Sequence, residues 1–213
     1  MIEFPRPSLR MPDPHLFMSP EANLPSLLRR LTVLAGALLV PAALVGNLSP
    51  TSRFTLRELE RAPELTPKAF ADLFANFRFE GSPVIRPPEQ FLGERRGDCD
   101  DYTVLADLVL AKHGYRTRCI QVKFAGDNVG HAVCYVSENK AYLDYNNRRY
   151  FVNLERSGQT IRQIAKKIAA SFELDWTTAA EFTYSYETMR KTLAFVVVKT
   201  DPPDKDPDRG RYE

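Results

Sequence analysis

Cysteine and histidine are scarce in this chain, three of each in 213 residues. Three cysteines cannot build a disulfide framework, and no Cys/His spacing resembles a zinc site. A dominant charge sign is missing too: 29 Lys and Arg against 27 Asp and Glu leave a formal net charge of +2. With no basic stripe interleaved with aromatics, nothing argues for nucleic acid as a partner. There is no internal repeat, and no metal or cofactor is expected. The remaining composition, 44% hydrophobic and 26% charged, is that of an ordinary globular protein. The length suits one domain with a sizeable core, plus tails.

The two ends read as non-globular. Residues 1–23 are proline-rich and aperiodic, which predicts a disordered leader. Residues 201–213 open on Asp201-Pro202-Pro203-Asp204-Lys205-Asp206-Pro207. Such a charged, proline-broken stretch continues neither strand nor helix, and a disordered tail is expected. Residues 24–50 contain an apolar segment. Arg29-Arg30 precede Leu31 to Val45, interrupted by Thr32, Gly36 and Pro41. As a helix this stretch rises roughly 22 Å, short of the about 30 Å of a hydrocarbon core. A basic flank before a short apolar core fits a signal sequence or signal anchor. The competing reading is a buried core helix. Ala43-Leu44-Val45-Gly46 makes a poor cleavage site, and no cysteine follows closely. The expectation is an exported or membrane-anchored, extracytoplasmic protein with a folded domain over 51–200.

Within that domain, Thr66-Pro67 begins a helix. Phe70, Leu73, Phe74 and Phe77 form its apolar face, and it is expected to end near Phe79. A second helix starts at Asp98 or Cys99 and runs to His113, with Gly114 as its stop. Strands are predicted over Tyr115–Phe124, His131–Val136, Ala141–Tyr145 and Arg149–Leu154, joined by turns as an antiparallel meander. A helix over Thr160–Phe172 and a last strand over Leu193–Lys199 follow. The first two strands turn about a centre that sets Cys119 opposite Cys134. A cross-strand disulfide and two buried free thiols both remain open there.

The chemistry gathers at Cys99, in Gly97-Asp98-Cys99-Asp100-Asp101-Tyr102 before the second helix. A thiol reacts as thiolate, and a free one titrates near about 8.5. A helix N-terminus favours negative charge by roughly 0.3–1 kcal/mol, too little to activate it. The flanking aspartates oppose it, so a cation must face the sulfur, and histidine is the usual partner. His15 lies in the leader. His113 ends the same helix, about 21 Å away by its rise. His131 remains, at the start of a strand. Asp144 lies on the next strand, within diagonal reach of His131, where it would fix the imidazole's tautomer.

These residues, with Gly130-His131-Ala132-Val133 and Tyr142-Leu143-Asp144, resemble the transglutaminase-like superfamily, above all its bacterial cysteine peptidases. The likeness covers roughly residues 84–155. It implies a papain/transglutaminase-like α+β fold, with the helix that begins at the catalytic cysteine packed on an antiparallel sheet. It implies that Cys99 is the nucleophile, His131 the general base and acid, and Asp144 the orienting group. The chain departs from the family pattern at Val133, where relatives often carry an aromatic, and at Tyr145, where peptidase relatives often carry asparagine. For a second oxyanion donor beside the Cys99 amide the sequence offers Gln90, set against its reading as a solvated loop glutamine. The expected function is a thiol hydrolase, a cysteine peptidase or amidase, acting on a protein or peptide through an acyl-enzyme in the bacterial periplasm. The alternatives are glutamine acyl transfer, which crosslinks, and a catalytically idle, membrane-tethered binding module.

Overall fold

The computed structural model describes residues 48, 53–126, 130–146 and 154–211. The leader and, Leu48 apart, the apolar segment lie outside these residues. So does most of the strand expected over Arg149–Leu154. Among the described residues no helix is long and apolar enough to cross a membrane.

The domain is an antiparallel sheet with helices on both faces. In chain order come α1 (Leu56–Arg61), α2 (Pro67–Leu73), β1 (Arg78–Phe79), α3 (Pro88–Glu94), β2 (Arg96–Gly97) and α4 (Cys99–Lys112). Then follow β3 (Thr117–Phe124), β4 (Gly130–Val136), β5 (Ala141–Leu143), β6 (Glu155–Arg156), α5 (Ile161–Ser171), β7 (Trp176–Ser185) and β8 (Arg190–Val198). The six-stranded sheet has the order β6-β5-β4-β3-β7-β8, while β1 and β2 form a separate parallel bridge. This is the α+β arrangement the sequence predicts.

Strand alternation divides the core in two. Cys134, Val136 and Leu143 face α4, which presents Leu105, Ala106, Val109 and Leu110; α1, α2 and α3 add Leu59, Phe70 and Phe91 to that layer. Ile120, Val122, Phe124, Val133 and Tyr135 face α5, which presents Ile161, Ile164, Ala165 and Ile168. Helix α4 thus lies along the middle of the sheet, and its first residue reaches the end where β4 begins.

Three expectations are corrected. Helix α2 stops at Leu73, not near Phe79. Its last turn tightens through Phe74 N–H to Ala71 O and Ala75 N–H to Asp72 O. The chain must leave the helix there so that Arg78 and Glu80 can donate to the carbonyls of Arg95 and Gly97. A strand without an expected counterpart, β7, sits between β3 and β8. The C-terminal stretch is no loose tail up to Arg211: Pro203–Lys205 form a 3-10 turn, and Asp208 is fully buried. Its carboxylate accepts the Ile161 N–H at the start of α5, and Asp206 pairs twice with Arg162. Charge brings this proline-rich segment back onto the domain, where apolar periodicity could not. Cys119 and Cys134 stand opposite each other in the expected register, both buried and both free thiols.

Candidate functional site

Each residue of the run 97–101 has a separate task at the start of α4. Gly97 is required by space: a Cβ there would lie 2.5 Å from Asp101 Oδ2 and 2.6 Å from the Phe91 ring. Asp98 is the N-cap, accepting the amides of Asp100 and Asp101, while Asp101 accepts the amide of Asp98. This reciprocal capping box satisfies helix amides that would otherwise lack partners. The second Asp98 oxygen accepts the Ser82 amide at 2.8 Å and ties in the preceding loop. Asp101 is buried and bonded to Arg86 twice, through its amide and its guanidinium, each at 2.6 Å. Burial pushes the Asp101 carboxyl pKa up against the pull of those donors. Asp100 faces the other way and accepts Lys191 Nζ from β8 at 2.8 Å. The acidic neighbours of Cys99 are therefore each occupied.

Cys99 is half-buried, whereas Cys119 and Cys134 are buried. Burial, reinforced by the charge of Asp107, pushes both inner thiols well above the ordinary thiol range. Cys99 borders a cleft of about 180 Å³, lined also by His131, Ala132, Gln121 and Lys191 among others.

His131, 5% exposed, is the second residue of β4, and its ring lies 4.9 Å from that of Phe172 at the end of α5. Its Nε2 is 2.9 Å from Asp144 Oδ1. Asp144 follows β5 and is 3% exposed; the same oxygen accepts the Asn146 amide, which orients the carboxylate. Tyr145 then turns into the α4 layer and donates to Arg78 O, anchoring the chain just past Asp144. With Nε2 engaged, Nδ1 is the ring nitrogen left for the sulfur. Burial disfavours a charged ring here. The charge and hydrogen bond of Asp144, and then those of Cys99, outweigh it and push the His131 pKa up from 6.5 to about 10. The structure thus brings Cys99, His131 and Asp144 together from three elements.

It does not bring Gln90 to them. Gln90 is exposed on α3, and its amide donates to Glu94 at 3.0 Å, so the side chain belongs to the helix surface. Gln121 and Lys191, absent from the sequence reading, border the cleft instead. A signal for Gln121 was present: it is a polar residue at an inward position of β3, paired with Ala132 next to His131. Among the described residues no group of His, Cys, Asp or Glu is arranged to hold a metal ion.

No curated protein matches the chain. Among solved structures it is similar to calcium-bound LapG of Legionella pneumophila, at 16% identity and a TM-score of 0.40, over 65% of this chain and 74% of that one. A transglutaminase-like domain matches residues 62–174, more than half of the sequence. With its antiparallel sheet and a central helix that begins at a cysteine, the chain belongs to the transglutaminase-like family.

Proposed function

We propose that the protein is a thiol hydrolase that cuts peptide or amide bonds through an acyl-enzyme. Cys99 is the nucleophile, His131 the general base and acid, and Asp144 the group that holds the ring. The observation that carries this reading is the 2.9 Å contact between His131 Nε2 and Asp144 on a ring that borders the same cleft as Cys99. An imidazole bound at Nε2 by a carboxylate offers Nδ1 to the thiol and holds the proton it receives. The Cys99 sulfur attacks the carbonyl carbon, and His131 returns the proton to the departing amine. Water then cleaves the thioester, with His131 acting as base.

Family membership supports the same order of nucleophile, base and orienting group. The proposed substrate is a protein or peptide. Whether water or an amine receives the acyl group is measured by comparing peptide cleavage with incorporation of a labelled amine.

The test starts with iodoacetamide at neutral pH. Cys99 should be alkylated in preference to Cys119 and Cys134, and His131→Ala should slow that alkylation by an order of magnitude or more. Peptide-library cleavage should vanish in Cys99→Ala. Alkylation of Cys99 at the same rate with and without His131 would remove the catalytic reading and leave a binding module of the same fold.

A further inference from the structure

Thiol hydrolysis at Cys99 makes one further demand on the site. When the sulfur attacks, an S–C bond forms and the carbonyl π pair moves onto oxygen. That oxyanion needs two donors. The Cys99 amide is a natural first donor. It sits in the opening turn of α4, where amides have no intrahelical partner, and the capping box uses the amides of Asp98, Asp100 and Asp101 instead.

Gln121 is placed to be the second. It lies two residues beyond Cys119 on β3, about 6.6 Å along the strand. Cys119 Sγ touches Thr103 O on α4. Cys99 lies four residues before Thr103, about 6 Å along the helix. The two steps bring Gln121 level with Cys99, and both border the one cleft.

The amide's orientation follows from its neighbour. Lys191 Nζ lies 3.3 Å from Gln121 Oε1 and 2.8 Å from Asp100 Oδ1. An ammonium only donates, so the oxygen end of Gln121 is committed to Lys191. Nε2 is thereby turned away from Lys191 and makes no hydrogen bond among the described residues. Asp100 keeps Lys191 in place from the helix side.

We propose that Gln121 Nε2 and the Cys99 amide together hold the oxyanion, with Lys191 as the positioning residue for Gln121. This rests on the thiol-hydrolase reading. When the intermediate collapses, the electron pair returns to re-form C=O. The bond to the leaving group breaks, and an amine departs with the proton carried by His131.

Two reagents separate this role from the activation of sulfur. p-Nitrophenyl acetate acylates the thiol through an oxyanion. Iodoacetamide alkylates it by displacing iodide, with no oxyanion. In the full chain, Gln121→Ala should slow acylation on the order of 10²–10³-fold, as expected for loss of one oxyanion donor. Its alkylation rate should stay within about two-fold of wild type. Gln121→Glu keeps the size and the Lys191 contact but presents no donor, and it should lose acylation likewise. Wild-type acylation in either variant overturns the proposal, as does an equal fall in both reactions, which would make Gln121 a support for the thiol. These outcomes leave the catalytic pair standing if His131→Ala still slows alkylation of the otherwise wild-type chain. If it does not, the hydrolase reading itself has failed.

Discussion

An imidazole buried to 5% exposure would ordinarily be neutral, because burial disfavours the charged ring. His131 departs from this because Asp144 and Cys99 supply more than burial removes, and the ring's pKa rises from 6.5 to about 10. A group whose folded pKa is raised stabilises the fold fully below its unfolded value. That contribution is lost as pH climbs through the folded value. The window here runs from 6.5 to about 10. Wild type should therefore exceed Asp144→Asn by on the order of a few kcal/mol below the window, with the gap closing across it. Urea denaturation at a series of pH values measures this, and a gap indifferent to pH would show that Asp144 does not hold the charge. The meeting of Cys99, His131 and Asp144 was legible because each lies in or just beyond a recognisable element, Asp144 one residue past the end of β5 and not on the strand as expected, and because short turns fix the register between them. Arg86, Gln121 and Lys191 were not. Their contacts depend on which residue comes to rest beside them, and a lone Arg, Gln or Lys in sequence reads as a solvated side chain.

At the scale of elements, the start of α4 is the most constrained place in the domain. Helix signals were readable there because capping is local: Asp98 at the cap, Gly114 after the end with φ 83°, and apolar residues between. Register was readable for the same reason, since short turns fix the pairing of β3 with β4 and of β4 with β5. Strand β7 was harder to read. Its burial runs buried, exposed, partial, buried, buried, and it shifts register by a bulge against β8, so period-2 alternation is broken. Gly97 was legible as part of a motif, but its physical reason, the approach of Asp101 and Phe91, is tertiary. Gly97→Ala places a methyl within 2.6 Å of both, on side chains held by the Arg86 pair and by the aromatic core. Overpacking of this kind costs about 1–3 kcal/mol. The variant should lose that much in chemical denaturation. It should also lose activity, because displacing Asp101 disturbs the cap that sets Cys99. Unchanged stability would mean that the helix start can shift without cost.

On the scale of the whole molecule, the sheet is gripped by segments from both ends of the described domain. Helices α1 to α3 complete the layer over α4, and the segment after β8 returns to the opposite side and docks on the start of α5. This closure was not legible, because proline and charge in 201–213 predict disorder unless specific partners exist. The partners are Arg162, which holds Asp206 and three backbone carbonyls, and the buried Asp208, which lies 3.6 Å from Arg118. Arg118 in turn reaches Glu181 on β7 and the Gln159 carbonyl just before α5. Removing Asp208 strands the Ile161 amide and weakens one side of that arginine, which costs about 1–3 kcal/mol for a buried group left without its partner. Asp208→Ala should therefore lower the urea midpoint, and Asp208→Asn, which keeps an acceptor for Ile161, should lower it less. Asp208 does not border the Cys99 cleft, so alkylation of Cys99 in either folded variant should proceed at the wild-type rate. Slower alkylation in Asp208→Ala would mean that the grip on α5 is transmitted to His131, whose ring rests against Phe172 at that helix's far end. The α5 layer would then be part of the catalytic support rather than only of the fold.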